Sequence, residues 1–187
     1  MKKADLERRM KQVRLVVFDV DGVLTDGSIL IGADGGEIKA FNVHDGSGIK
    51  YLQRAGIGTA ILSGRSSPAV DQRAKELDIP HVFQGCRFKV ESLAELVNAS
   101  KVSPRDMCFI GDDLPDIPVM REVGLAVSVP NARPEVKRIA HLVTRAGGGH
   151  GAVREVAERL LRAQRKWGRI VARYGLRGSG GAKRGAL

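Results

Sequence analysis

Three short apolar runs, each breaking off at small or acidic residues, constrain this chain more than any other feature. Residues 14–20 (RLVVFDV) run into Asp21-Gly22, residues 57–62 (IGTAIL) into Ser63-Gly64, and residues 107–110 (MCFI) into Gly111-Asp112-Asp113. Short apolar runs bounded by turn residues read as strands buried on both faces, the pattern of a parallel sheet. Shorter candidates follow at 81–83, 125–129 and 141–143. Helical spacing separates them: a helix opened by Asp45-Gly46-Ser47-Gly48, then 67–78, 89–98 with Val90, Leu93, Ala94 and Val97 as its stripe, 115–122, 133–139 and 152–167. Alternating strands and helices imply an α/β fold, a doubly wound parallel sheet. Residues 28–43 instead alternate about an Ala33-Asp34-Gly35-Gly36 turn and predict a protruding β-hairpin. Ligands of such sheets bind beyond the carboxyl ends of the strands, where the acidic and glycine residues fall.

Charge and composition narrow the function classes. The chain has 187 residues, enough for one domain, assigned to 1–174, with a glycine-rich basic tail at 175–187 expected to be flexible. No apolar stretch is long enough to span a bilayer, and the charged N-terminus is no secretory signal, so a membrane role is not expected. Two unpaired cysteines, Cys86 and Cys108, fit a reducing cytoplasm. The formal charge is +10, but it sits at the ends. Residues 1–11 hold five Lys/Arg against two Asp/Glu, and residues 154–187 hold ten against two, so the body is close to neutral. The basic tail offers nucleic-acid binding as a reading from a different class, although a solvated helix face with a loose tail is the commoner meaning of such a run.

Several side chains at the strand ends carry chemistry. Asp19 and Asp21 are two apart on an extended segment and so point the same way. They read either as turn acids or as paired carboxylates facing one site. Asp112, Asp113 and Asp116 read either as helix N-terminal acids or as a second carboxylate group. Clustered carboxylates repel unless a cation joins them, and oxygen donors suit magnesium. Ser63 and Gly64 offer a hydroxyl and backbone N–H groups to a phosphate oxygen, and Lys89 offers a point charge. Taken singly, Ser63 reads as readily as a turn residue and Lys89 as a solvated one.

In combination, DxD, then Ser-Gly, then Lys, then GDDxxD, in that order at strand ends, resembles the haloacid-dehalogenase-like superfamily of aspartate-nucleophile phosphatases. The strings FDVDGVLTDG, FNVHDGSGI, GDDLPDIPVM, VGLAVSV and GGGHGAVREV are similar to those of its capless 3-deoxy-D-manno-octulosonate 8-phosphate (KDO 8-phosphate) phosphatase family, over residues 12–167. The resemblance implies a magnesium-dependent phosphatase of lipopolysaccharide biosynthesis. Asp19 would be the nucleophile and Asp21 the general acid and base. Asp19, the backbone carbonyl of Asp21, and Asp112 would hold magnesium, supported by Asp113 and Asp116. Ser63, Gly64 and Lys89 would bind the phosphoryl group. It also implies a homotetramer in which each hairpin helps close a neighbouring site. Arg65 and Arg73 are candidates for the sugar-acid carboxylate, because arginine offers a bidentate fork. Relatives usually carry Arg or Lys at His44, Thr at Ser63, Arg at His150 and a polar residue at Phe88. These departures leave the phosphoryl-transfer set intact and bear on sugar recognition. A nine-carbon sialic-acid-like 9-phosphate is the alternative substrate.

Overall fold

The computed structural model describes residues 3–176. Its centre is a six-stranded parallel sheet built from β1 (Leu15–Phe18), β4 (Gly58–Leu62), β5 (His81–Phe83), β6 (Met107–Gly111), β7 (Leu125–Ser128) and β8 (Leu142–Val143). The strand order is β5-β4-β1-β6-β7-β8. Every residue of β1, β6 and β7 is buried, which explains why these strands are apolar throughout rather than alternating. The chain leaves β1 toward β4 and β5, then returns to the other side of β1 through β6. The switch point therefore lies at the carboxyl ends of β4, β1 and β6.

The hairpin forms as expected, with β2 (Leu30–Ile31) antiparallel to β3 (Glu37–Ile38). Helices α2 (Val43–Arg54), α3 (Pro68–Glu76), α4 (Lys89–Ser100), α5 (Ile117–Glu122), α6 (Pro134–Ile139) and α7 (Ala152–Ala163) supply the layers around the sheet. α2 begins two residues before Asp45, because the side chain of Asn42 caps it by accepting from the backbone N–H groups of His44 (2.8 Å) and Asp45 (3.3 Å). On α4 the buried positions are Lys89, Leu93 and Leu96, while Val90 is exposed, so the stripe is rotated from the expected one.

Two further differences come from tertiary packing. A helix, α1 (Lys3–Gln12), precedes β1; its sequence is so polar that Met10 is its one buried residue. The basic segment expected as a single helix over 152–167 ends at Ala163 and restarts as α8 (Trp167–Ala172). Arg165 lies in the left-handed region between them, with φ 56°. There Gln164 turns inward and donates to the carbonyls of Met10 (3.1 Å) and Val13 (2.8 Å). Most of the tail expected to be flexible, 177–187, lies outside the described residues.

Candidate active site

A cavity of about 290 Å³ opens at the switch point, lined by Asp19, Asp21, Gly22, Ser63, Gly64, Arg65, Lys89, Asp112, Asp113 and Asp116 together with Gly27 and Pro115. Nine of the ten side-chain positions singled out in the sequence therefore meet around one space, drawn from three strand ends and the start of α4. Asp19 sits immediately after β1, buried, with Oδ1 accepting from the N–H of Val20 at 2.7 Å. Its Oδ2 is 2.8 Å from Lys89 Nζ. Lys89 is the first residue of α4, and its buried ammonium also reaches Asp116 Oδ1 at 2.6 Å.

Asp116 is the hub of the arrangement. It is fully buried, and its second oxygen, Oδ2, accepts from the backbone N–H groups of Asp112 (2.8 Å) and Asp113 (3.1 Å). One oxygen of this aspartate shapes the turn after β6, and the other pairs with Lys89. Asp113 is exposed and caps the same turn through Leu114 N (2.8 Å). Gly111 is needed beneath this turn, since a Cβ there would come within 2.6 Å of Asp116 Oδ2.

One oxygen each of Asp19, Asp112 and Asp116 lies within 4.8 Å of the others. Such crowding is costly for three anions. Burial pushes Asp19 well above the usual carboxylate range, the charge of Asp116 adds to this, and Lys89 offsets only part of it. Burial, then the charges of Asp116 and Asp113, push Asp112 up to about 7. Lys89 is held above its ordinary value, because the two carboxylates outweigh the opposing effect of burial. A hard divalent cation relieves this repulsion, and the all-oxygen donor set fits magnesium. Both oxygens of Asp116 have partners, as do those of Asp19, which meet Val20 N–H and Lys89, whereas the carboxylate of Asp112 has no hydrogen bond among the described residues. The carboxylate of Asp21 lies outside this cluster, so the metal role expected of Asp21 falls on its backbone carbonyl alone, as the sequence suggested.

Ser63 is buried at the end of β4, and its Oγ accepts from the N–H of Arg65 at 3.3 Å. Arg65 stands on the cavity rim with Nε 3.6 Å from Asp21 Oδ2. Arg73 does not line this cavity; it pairs with Glu76 (3.2 Å) and lies over the ring of Phe41 (5.8 Å to the centroid). The reason is its place on α3, on the face turned toward the first turn of α2; Gly46 makes room for it there, since a Cβ would be 2.5 Å from its NH2 group. His44 and His150 are exposed, and neither lines the cavity.

Sequence reasoning missed two kinds of residue. Lys39 of the hairpin reaches Asp21, and Glu37 pairs with that lysine; their i, i+2 spacing on an alternating segment was the available signal. Asn131 and Asp45 brace the loop behind the site. Asn131 donates to Gly22 O (2.9 Å) and accepts from Gly148 N (2.8 Å), while Gly149 N donates to Val23 O (2.9 Å). Asp45, buried, caps α7 by accepting from Gly151 N (3.1 Å) and Arg154 N (2.7 Å). No local pattern announces these contacts, most of which join residues more than a hundred positions apart.

Comparison with known proteins agrees with this geometry. Residues 86–155 match the family model of haloacid dehalogenase-like hydrolases. The 3-deoxy-D-manno-octulosonate 8-phosphate phosphatase of Yersinia pestis is 46% identical over 162 residues, covering 87% of each chain. A probable YrbI-family phosphatase from Pseudomonas syringae pv. phaseolica superposes with a TM-score of 0.90 at 46% identity, covering 93% of this chain and 99% of the other. The 3-deoxy-D-manno-octulosonate 8-phosphate phosphatase of Moraxella catarrhalis, solved with magnesium, phosphate and KDO, superposes with a TM-score of 0.90 at 40% identity, covering 92% and 99%.

Proposed function

The chain belongs to the haloacid dehalogenase-like hydrolases, within the family of 3-deoxy-D-manno-octulosonate 8-phosphate phosphatases, and from that membership we propose that it hydrolyses this sugar-acid phosphate to the free sugar acid and phosphate. The observation that carries the reading is the Asp19–Lys89–Asp116 chain of ion pairs beside Asp112, at the switch point of the sheet.

In this reading Asp19 attacks phosphorus while the phosphorus–oxygen bond to the sugar breaks, giving an aspartyl-phosphate. Asp21 gives a proton to the departing sugar oxygen. Water then attacks phosphorus, Asp21 takes its proton, and the bond to Asp19 breaks to release phosphate. Lys89 holds Asp19 in place and offsets its repulsion of the incoming phosphate. Ser63 Oγ and the backbone at Gly64 bind the equatorial oxygens, whose charge must be stabilised by groups already in position. Magnesium held by Asp19, Asp112 and the carbonyl of Asp21, when bound, supplies positive charge opposite those oxygens. Arg65 is the candidate for the substrate carboxylate. A place in lipopolysaccharide synthesis and a cytoplasmic location, consistent with two unpaired cysteines, belong to the same reading. So does a homotetramer, supported by the apolar hairpin residues Ile29, Leu30, Ile31 and Ile38, all exposed in the single chain.

The test is phosphate release from KDO 8-phosphate and from a nine-carbon sugar-acid 9-phosphate, with and without magnesium. The expected result is higher kcat/KM on the eight-carbon ester, dependence on magnesium, and loss of turnover in Asp19→Asn. A preference for the nine-carbon ester would overturn the substrate, and normal turnover by Asp19→Asn would overturn the nucleophile.

A further inference from the structure

We propose that Lys39, on the strand β3 side of the hairpin, is a positioning residue that aims the carboxylate of Asp21 at the leaving oxygen; the proposal rests on the acid–base role of Asp21 given above. Lys39 Nζ is 2.5 Å from Asp21 Oδ1 and 2.9 Å from Glu37 Oε1. Glu37 Oε1 also accepts from Arg65 NH2 at 3.2 Å, and Arg65 Nε lies 3.6 Å from Asp21 Oδ2. The four side chains close a ring of alternating charge: Lys39, Asp21, Arg65, Glu37.

Three features separate this ring from an ordinary surface ion pair. First, the Lys39 side chain is 1% exposed, so its charge has been taken out of water. Withdrawing an ammonium from water is costly unless it is paired, and an apolar residue would anchor the hairpin at least as well. A buried cation here therefore points to a task that needs its charge. Second, Lys39 and Glu37 do not line the cavity, whereas Asp21 and Arg65 do. Lys39 cannot meet the substrate and acts through Asp21. Third, Lys39 takes one oxygen of Asp21 only. Oδ2 has no hydrogen bond among the described residues and stands beside Arg65 on the cavity wall. A carboxylate on a flexible strand-end loop has two freely exchanging oxygens; one held by a buried lysine has a fixed rotamer and a defined reacting oxygen. Misplacing a reacting group by 1 Å costs about a hundredfold in rate.

The experiment compares two esters in magnesium-saturated protein, the sugar phosphate and p-nitrophenyl phosphate. The sugar oxygen leaves as a basic alkoxide and needs the proton; p-nitrophenolate does not. Asp21→Asn should lose about a hundredfold more kcat on the sugar ester than on the aryl ester. Lys39→Met should show the same pattern in weaker form, losing about tenfold more on the sugar ester, with unchanged circular dichroism. Lys39→Gln serves if the methionine variant does not fold. Equal losses on both esters in the Lys39 variants, with the Asp21→Asn contrast intact, would overturn the inference alone. No contrast in Asp21→Asn would overturn the acid–base role and the inference with it.

Discussion

Gly22 should be irreplaceable for two separable reasons, and a pair of alanine variants tells them apart. Its φ is +80°, where a residue with a Cβ pays about 1–2 kcal/mol. For a chain of this size that lowers Tm by roughly 2–8 °C. Gly56, with φ +74° and nothing within 4 Å of a built Cβ, carries the backbone cost alone. At Gly22 the added methyl would stand 2.1 Å from Asp112 Oδ2, so that carboxylate must retreat by more than about 1 Å to reach ordinary contact. Asp112 is a proposed magnesium ligand, and its carboxylate has no hydrogen bond among the described residues. A displacement of that size is worth about a hundredfold in rate, and disturbing a ligand's support about 10–100-fold in metal affinity. Calorimetric titration with magnesium and thermal unfolding of both variants supply the comparison. Gly22→Ala and Gly56→Ala should fall by similar amounts in Tm, while only Gly22→Ala loses magnesium affinity and turnover. Magnesium binding by Gly22→Ala within about threefold of the parent, or an equal loss in Gly56→Ala, would refute the reasoning.

Other outcomes follow from the same geometry. Magnesium should bind more tightly as pH rises through about 7, because Asp112 must lose its proton to ligate; one such proton gives about a tenfold gain between pH 6 and 8, measurable by titration in buffers of different ionisation heat. In the metal-free protein the sign reverses for stability: the folded state binds this proton more tightly than the unfolded chain, so its contribution is present at low pH and is lost as pH rises to about 7, a trend that Asp112→Asn should weaken in thermal scans. Lys89→Met leaves two buried carboxylates without their cation and should cost about 3–5 kcal/mol in denaturant titrations, as well as turnover. Asp45→Ala removes the acceptor for two N–H groups of α7 and should cost about 2 kcal/mol, read as a drop in Tm with the metal affinity retained.

Much of the site was legible because it is punctuated locally. Asp19, Ser63 and Asp112 each follow an apolar run, and a parallel sheet places all such positions at one edge whatever the packing details. Lys89 was legible as the opening residue of a helix, but its two partners were not, since Asp116 reads equally well as a cap. Arg73 shows a different case: a charge near a motif that the face of α3 it occupies sets beside Phe41, outside this cavity. The break after Ala163 was hidden because the hydrophobic pattern of 152–167 continues through it, while the deciding contact is Gln164 with the carbonyls of Met10 and Val13.

The sequence by itself determined the α/β class, the strand ends that meet, the nucleophile candidate and the carboxylate group, because strand periodicity and turn chemistry are properties of neighbouring residues. Tertiary structure alone decided that Asp116 joins the turn after β6 to Lys89, that Asp21 is paired with Lys39 and Arg65, and that Asp45 and Asn131 hold the loop behind the site. Each of these depends on where a hairpin, a helix end or a glycine loop comes to rest after folding, and on how deeply water is excluded there. Burial also sets the strength of the charges: the same aspartates exposed in a turn would be ordinary acids, and packed together beneath α4 they become a site that calls for a cation.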